Sequence, residues 1–405
     1  MSVTATLVWA WTGEVDRSGL SPDGGPVATE VPVTSRPTAY RQTSSLLPAT
    51  PTATFTGNLG RRPRIRPNLI GDGVGRRSHA GLPAGAASSR RHCRLGQKLV
   101  PTCGVLWGVA PGARTEEHGF EALVDFERKT GRHQAVYHAY HHGIRQLFPT
   151  PQEIAIARQP GRERVLLLNW KPESVSWARI ARGDRRTDEF LDELAWHLRR
   201  NYREPFFFAI HHEAEDQVRE RPGSGYTARD YAAMFRHVVK RLRAHGANNV
   251  VTVLIHMAYV PHTTKRWFSH MYPGDDVVDW IGFDTYSYSD PGYGHGDFAE
   301  LLNRRSSLTP RWPGFYNWVG THHPDKPLMV AEWGVWFSKR NPGHMAEFYR
   351  EVGQQIRYFP AIRAMVHFET PANQKGQDSS VDSTPAALRE YRRLGRLPVF
   401  QVALR

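Results

Sequence analysis

The sequence predicts a (β/α)8 TIM barrel that follows a largely disordered N-terminal segment. Eight short, almost continuously apolar runs lie between residues 104 and 370, and amphipathic helical stretches alternate with them. Buried runs separated by helices are typical of a parallel sheet that is covered by helices. Eight such units favour a closed barrel. The alternative, an open doubly wound sheet, usually has a GxGxxG turn after its first strand, and "WGVAPGARTEE" lacks one.

Turn residues bound each of the eight apolar runs. The runs span 104–111, 133–141, 164–172, 205–213, 249–257, 277–288, 327–336 and 362–370. The clearest helix candidates span 115–131, 188–201, 227–246, 343–359 and 384–395. Thr187 and Thr227 are the expected N-caps of the second and third candidates, because a threonine oxygen can accept from a free backbone N–H of the first turn. Gly131 and Gly246 are expected to end the first and third.

The N-terminal quarter of the chain differs from the rest in composition. Residues 1–103 are rich in Pro, Ser, Thr and Arg and show no sustained periodicity, so we expect a disordered leader or linker. Residues 104–397 form the predicted catalytic domain. Of the formal net charge of +14, +8 lies in residues 1–104. This leader has no recognisable reader motif, so we expect no specific nucleic-acid partner.

Several segment types are missing from the sequence. No run of apolar residues is long enough for a membrane-spanning helix. The first residues lack a basic region and a cleavage site, and therefore provide no convincing signal peptide. Two cysteines, Cys93 and Cys103, are too few for a zinc site. Whether they form a disulfide or remain free thiols stays open at this stage.

Carboxylates stand at the ends of two different apolar runs. The fourth run ends in Glu213, and the seventh contains Glu332 near its end. Active sites of such barrels lie at the C-terminal ends of the strands. Glycosidases use two carboxylic residues across the scissile bond, one as proton donor and one as nucleophile. Glu213 and Glu332 fit these two roles, whereas Glu215, Asp216 and Glu369 are assigned to solvated loops.

Other polar and aromatic residues near the same strand ends are expected to contact the substrate. They are His212, Tyr286, Asp284, His141, Trp170, Trp333 and Phe368. Aromatic rings offer flat apolar faces to sugars. Adjacent residues on a strand point to opposite faces, so only one of His211 and His212 can face the barrel mouth. The histidines of the second run lack the spacing of a zinc site, and we predict neither a metal nor a cofactor.

Three segments resemble glycoside hydrolase family 26, the mannanase-type family of retaining (β/α)8 enzymes. They are "HHEAED", "PGDDVVDWIGFDTYSY" and "KPLMVAEWG", and the resemblance extends over residues 104–395. It implies that Glu213 is the acid/base and Glu332 the nucleophile. It also implies that Asp284 and Tyr286 follow the sixth strand, with Tyr286 near the nucleophile. A secreted monomer that acts on a polysaccharide is the expectation that follows.

The sequence departs from the family pattern around the acid/base. The Arg and Asn that the family commonly places four residues before and two after it are Ala209 and Glu215, and no Trp follows in "DQVRERPG". The prediction is therefore a retaining, endo-acting hydrolase of β-glycosidic bonds in a polysaccharide such as β-mannan, a β-glucan or xylan. A retaining mechanism predicts about 5–5.5 Å between the two carboxyl groups. The alternative is a non-catalytic carbohydrate-binding barrel.

Overall fold

The computed structural model describes residues 93–404 except 114, 116, 117 and 373–375. Within them, eight parallel strands close into a barrel in sequence order, β2 to β9, which confirms the predicted fold class. Each strand falls within or close to one of the eight predicted runs. The strands are β2 (Leu106–Ala110), β3 (Val136–His142), β4 (Val165–Lys171), β5 (Phe206–Ile210), β6 (Val250–Met257), β7 (Trp280–Tyr288), β8 (Leu328–Trp336) and β9 (Ile362–Phe368).

Helices alternate with the strands and cover the barrel. In the described part of the chain they are α1 (Phe120–Thr130), α2 (Pro151–Ala157), α3 (Trp177–Ala181), α4 (Arg185–Asn201), α5 (Ala228–Ala244), α6 (Val260–Thr263), α7 (Phe298–Leu302), α8 (Phe315–His322), α9 (His344–Gln355) and α10 (Pro385–Gly395). No helix among the described residues has the length and apolar character needed to cross a membrane.

The helix starts show which capping predictions hold. Thr227 caps α5, where its side chain accepts from the backbone of Asp230 in a capping box. The prediction of Thr187 as the N-cap of α4 is wrong. The helix begins one turn earlier, and Asp184 is the cap because its carboxylate accepts from both the backbone N–H and the hydroxyl of Thr187. Asp184 is therefore the N-cap, and Thr187 lies within the first turn of α4.

The chain also forms a small structure at the N-terminal ends of the barrel strands. The strands β1 (Cys93–Arg94) and β10 (Val402–Ala403) pair in parallel, and a disulfide joins Cys93 to Cys103. The indole N–H of Trp280, at the start of β7, donates to the carbonyl of Lys98 over 2.8 Å. The described fold therefore starts before the predicted boundary at residue 104. Residues 1–92 of the predicted leader lie outside the described residues.

A β-bulge in β8 changes which residues face the barrel interior. Phe283 of β7 pairs with Val330, but the next residue, Asp284, pairs with Glu332, so Ala331 is one extra residue on β8. The pairing with β9 shows the same shift between Val330 and Trp333. An extra residue of this kind re-aims the side chains that follow it. Ala331 packs inside the barrel, and Glu332 also points inward.

Candidate active site

Glu332 lies at the C-terminal mouth of the barrel with a donor on each carboxylate oxygen. Tyr140 of β3 donates to Oε1 over 2.7 Å, and Tyr286 of β7 donates to Oε2 over 2.7 Å. The Nε2 atom of His212 is 3.8 Å from Oε1. The Glu332 residue is only 3% exposed. Hydrogen bonds donated to a carboxylate favour its charged form, so this arrangement suits an ionised glutamate out of water.

The Tyr286 donor is held in its protonated form. Burial raises the pKa of the Tyr286 hydroxyl well above its ordinary value, and the negative charges of Glu332, Asp284 and Glu213 raise it further. A neutral hydroxyl of this kind can donate a hydrogen bond at neutral and acidic pH. The same interactions place Glu213, Glu332 and Asp284 within electrostatic reach of one hydroxyl group.

Glu213 is presented by a turn rather than by a strand. β5 ends at Ile210, and both His211 and Glu213 then adopt left-handed backbone conformations with φ of 51°. The backbone N–H of Glu213 donates to the carbonyl of Ile255 at the end of β6 over 3.2 Å. Left-handed residues other than glycine are uncommon, and they cluster at functional sites, where surrounding contacts hold them.

Buried contacts support this turn from behind. The imidazole of His211 accepts from the indole N–H of Trp177 over 3.1 Å, so His211 points away from the mouth and His212 points into it. The assignment of Glu215 to a solvated loop is wrong. Glu215 is 2% exposed, and its Oε1 lies 2.6 Å from Nδ1 of His256 on β6. Sequence spacing gave no sign of this pair because its members are 41 residues apart.

A neutral histidine stands next to one of the Glu332 donors. His138 lies two residues before Tyr140 on β3, and its Nδ1 is 3.5 Å from the Tyr140 hydroxyl. Burial lowers the pKa of His138 to about 3, although a hydrogen bond with Asn169 opposes the shift. The imidazole is therefore uncharged around neutral pH, and it adds no positive charge to the site.

The structure brings only some of the predicted site residues together. Glu332, Tyr286, His212 and Asp284 meet at the mouth, and Phe368 packs there with Tyr286 at 5.9 Å between ring centroids. The other three predicted residues lie on the outer faces of their strands, and the structure does not bring them to the mouth. These residues are His141, Trp170 and Trp333. They contact Glu153, the Gly143 carbonyl and Tyr349, respectively.

Two mouth residues were missing from the predicted set. Tyr140 is a donor to Glu332, and Trp336 stacks on Tyr286 with 4.6 Å between ring centroids. Alternation of side chains along a strand would identify both residues if it were known which residues face the barrel interior. Tyr140 shares the inner face with His138, and the bulge puts Trp336 on the same face as Glu332. The sequence alone does not show which residues face inward.

Glu369, another residue assigned to a solvated loop, is also buried. It is 5% exposed, and its carboxylate contacts Nζ of Lys129 at 3.0 Å and Nε2 of His367 at 3.2 Å. The backbone N–H of Val381 also donates to it. The solvated-loop assignment is therefore wrong, and Glu369 instead links β9 to α1 and to the segment before α10.

Among the described residues, one group at the mouth has the composition of a cation site. His212, Asp284 and Glu332 each offer a ligand atom, and these atoms lie within 4.8 Å of one another. They could hold a divalent cation, although the two tyrosine hydroxyls already contact both oxygens of Glu332.

Comparison with known sequences gives matches to polysaccharide hydrolases. The model of glycosyl hydrolase family 26 matches residues 179–305, which include Glu213 and Tyr286. Endoglucanase H of Acetivibrio thermocellus is 27% identical over 237 residues, 56% of this chain and 24% of that protein. Beta-1,3-xylanase TXYA of a Vibrio species is 37% identical over 112 residues, 27% of this chain and 20% of that protein. These matches span about a quarter or less of the curated relatives' length.

Comparison with solved structures gives matches to barrels of the same family. A GH26 beta-mannanase from Bacteroides ovatus has a TM-score of 0.53 and 18% identity, covering 75% of this chain and 91% of that chain. A ruminal GH26 endo-beta-1,4-mannanase has a TM-score of 0.51 and 16% identity, covering 74% of this chain and 64% of that chain. At these identities the likeness concerns the fold alone. Together with the family model, it confirms the predicted resemblance of this chain to glycoside hydrolase family 26.

Proposed function

We propose that this protein is a retaining glycoside hydrolase that cleaves internal β-glycosidic bonds of a polysaccharide. The observation that carries the proposal is the environment of Glu332, a buried carboxylate with a tyrosine hydroxyl on each oxygen, at the mouth where Glu213 also lies. A nucleophilic carboxylate must remain ionised and fixed, and two neutral donors provide both conditions.

The proposed reaction has two steps. First, a Glu332 oxygen forms a bond to the anomeric carbon while the bond to the glycosidic oxygen breaks, and Glu213 gives its proton to that oxygen. Then Glu213, now ionised, takes a proton from water, and the water oxygen displaces Glu332 from the anomeric carbon. The anomeric configuration is retained because two inversions occur at one carbon.

The substrate class is supported by the matched relatives. Their names are those of an endoglucanase and a β-1,3-xylanase, which differ in the sugar but share a β-linked glycan chain. The sequence departs from the family pattern at Ala209 and Glu215, so the family pattern does not fix the sugar. We therefore propose β-glycans as the class. The sugar is to be identified with a panel of mannan, glucomannan, xylan, lichenan and β-1,3-xylan.

The test of the two roles uses single substitutions and an aryl glycoside of the sugar found with the panel. Glu332→Ala should abolish turnover of every substrate, because no glycosyl-enzyme can form. Glu213→Ala should slow polysaccharide hydrolysis most, since an aryl leaving group needs little protonation. Azide should rescue Glu213→Ala through a product of retained configuration, whereas with Glu332→Ala it should give inverted product.

The control is Glu189→Ala, which removes an exposed carboxylate from α4 on the outer wall of the barrel and should leave the rates near those of the wild type. The role assignment is overturned if azide gives retained product with Glu332→Ala and inverted product with Glu213→Ala. If the wild type binds a panel glycan but hydrolyses none, the alternative of a non-catalytic carbohydrate-binding barrel replaces the proposal.

Export from the cytoplasm is the location that we propose. The disulfide between Cys93 and Cys103 supports it, because disulfides persist mainly in oxidising compartments. Fractionation of cells of the source organism, followed by immunoblotting, would test this. Recovery of the protein only in the cytosol would contradict it.

A further inference from the structure

Three tyrosines form a continuous aromatic surface on the loops that follow β6 and β7. The ring centroids of Tyr288 and Tyr293 are 6.4 Å apart, and those of Tyr293 and Tyr259 are 6.1 Å apart. Tyr259 is 42% exposed and Tyr293 is 50% exposed. We call Tyr288, Tyr293 and Tyr259 the tyrosine platform. Exposed aromatic side chains that adjoin one another commonly mark a binding surface.

The tyrosine platform is continuous with the candidate active site. Tyr288 follows Tyr286 by two residues on β7, so both side chains lie on the inner face of the barrel. Both pack against the mouth cluster that contains Trp336 and Phe368. A glycan with one sugar over Glu332 would therefore meet the platform as its chain leaves the mouth.

The platform is held in place before any ligand binds. Arg304, which is buried, donates to the carbonyl of Tyr286 over 2.9 Å and to the carboxylate of Glu300 over 2.8 Å. Its guanidinium group also lies 5.0 Å from the ring of Tyr293. The contact between the Tyr293 and Tyr259 rings joins the β7 loop to the β6 loop. A surface ordered in advance loses little conformational entropy on binding.

Contacts at the other end connect the platform to the acid/base turn. The rings of Tyr259 and His262 are 5.2 Å apart, and Nε2 of His262 lies 2.9 Å from a carboxylate oxygen of Asp216. Asp216 belongs to the short 3-10 helix that starts directly after Glu213. An acid/base residue protonates the oxygen of the leaving group, so the surface next to its turn adjoins the leaving-group side of the cleaved bond.

We propose that the tyrosine platform binds the sugar residues on the leaving-group side of the cleaved bond. The inference rests on the proposed function and adds where the substrate chain runs once it has passed the cleavage point. Tyrosine suits this task because its ring offers an apolar face to sugar C–H groups and its hydroxyl tolerates water. The segment after Glu213, "DQVRERPG", lacks any aromatic residue that could do the same.

The experiment compares two substrates with the same sugars on the side of the glycosyl-enzyme. One is a hexasaccharide of whichever panel glycan the wild type cleaves, and the other is a 4-nitrophenyl glycoside, which has no sugar beyond the cleavage point. For Tyr259→Ala and Tyr293→Ala we expect the ratio of kcat/KM for the hexasaccharide to kcat/KM for the aryl glycoside to fall about tenfold. Circular dichroism and melting temperature confirm that each variant is folded.

The matched control is Trp196→Ala, which removes a ring that is 56% exposed on α4, on the outer wall of the barrel. Its ratio should equal that of the wild type. The platform proposal is overturned if the tyrosine variants leave the ratio unchanged, or if Trp196→Ala lowers it equally. It is also overturned if kcat/KM falls equally for both substrates, because the platform would then contact the sugars on the glycosyl-enzyme side of the bond.

Failure of the proposed function gives a different result. If the wild type hydrolyses no panel glycan, the test becomes calorimetric binding of mannohexaose, xylohexaose and β-1,3-xylohexaose. An affinity that falls about tenfold in Tyr259→Ala and Tyr293→Ala but not in Trp196→Ala would keep the platform as a glycan site without catalysis. Absence of binding to the wild type would overturn both proposals.

Discussion

Glu332 and Glu213 face the same space from two kinds of backbone. Glu332 belongs to a central strand with both neighbours paired, and two tyrosine hydroxyls fix its oxygens. Glu213 belongs to a left-handed turn, where its backbone is fixed by Ile255 and the following helix by the Glu215–His256 pair. In one region the carboxylate itself is clamped. In the other, hydrogen bonds hold the backbone that carries the carboxylate.

The largest expected effect comes from removal of a donor on the Glu332 side. Tyr140→Phe and Tyr286→Phe each delete one hydroxyl that contacts Glu332, and a hydrogen bond to a charged group contributes about 1.5–3 kcal/mol. We expect kcat/KM to fall roughly 10- to 100-fold in each variant. Tyr316→Phe, which removes a hydroxyl on α8, is the control and should keep the wild-type rate. Wild-type rates in both mouth variants would show that the clamp is dispensable.

The next largest effect concerns stability on the Glu213 side. Glu215→Ala leaves the buried His256 imidazole without its hydrogen-bond partner, and an unsatisfied buried polar group costs about 1–3 kcal/mol of unfolding free energy. Asp216→Ala on the same turn breaks an exposed pair with His262 and should cost about 0–1 kcal/mol. Urea denaturation of both variants measures the difference. Equal losses would mean that the buried pair does not hold the turn.

The pH dependence of stability should involve two buried histidines. His138 lies on the Glu332 side and His211 on the Glu213 side. Burial lowers the pKa of His138 to about 3, and burial together with the charge of Lys171 lowers that of His211 to about 3. An unfolded histidine binds a proton below about pH 6.5, whereas these folded ones do not. Each therefore contributes stability that is present above pH 6.5 and is lost progressively as the pH falls from about 6.5 towards 3.

Substitution isolates this contribution from that of other groups. For His138→Gln and His211→Gln, we expect the free energy of unfolding to depend less on pH between 6 and 4, by about 1.4 kcal/mol per pH unit. Urea denaturation at several pH values measures the slope. The control His118→Gln replaces an exposed histidine and should keep the wild-type slope. A wild-type slope in both buried variants would contradict the neutral state inferred for these histidines.

The smallest effect distinguishes the two backbones directly. Glu213 has φ of 51°, which glycine adopts without strain, so Glu213→Gly should be about 0.5–1 kcal/mol more stable than Glu213→Ala. Glu332 lies in a strand, where glycine is destabilising, so Glu332→Gly should be about 0.5–1 kcal/mol less stable than Glu332→Ala. Thermal unfolding of the four variants gives the two signs. The same sign at both positions would mean that the turn carries no conformational preference.

The sequence predicted the barrel and the strand ends well, because apolar runs and turn residues are local signals. It also named Glu213, Glu332 and Tyr286, which the structure brings near one another. It predicted less well which side chains of each strand point into the barrel. Trp333 directly follows Glu332, yet it packs on the outer side with Tyr349. A run that is apolar on both faces has no alternation from which the phase could be read.

The sequence also did not indicate which individual acidic residues are buried. Glu215 and Glu369 follow strands, where loops usually begin, so they were assigned to solvent. Their partners, His256 and Lys129, are distant along the chain and are brought close only by the closed barrel. A charged residue is buried when a partner is available, and that partner is a property of the fold rather than of the neighbouring sequence.

The extra residue in β8 means that this strand can lose one particular residue without losing its register. Val330 and Glu332 already pair with consecutive residues of β7, Phe283 and Asp284. Deletion of Ala331 would therefore leave a regular ladder in which Glu332 still faces inward and Trp333 outward. What would be lost is the local distortion and the small side chain of Ala331, which packs inside the barrel. Sequence variation in this strand should accordingly tolerate a one-residue gap at Ala331 more readily than at the residues on either side.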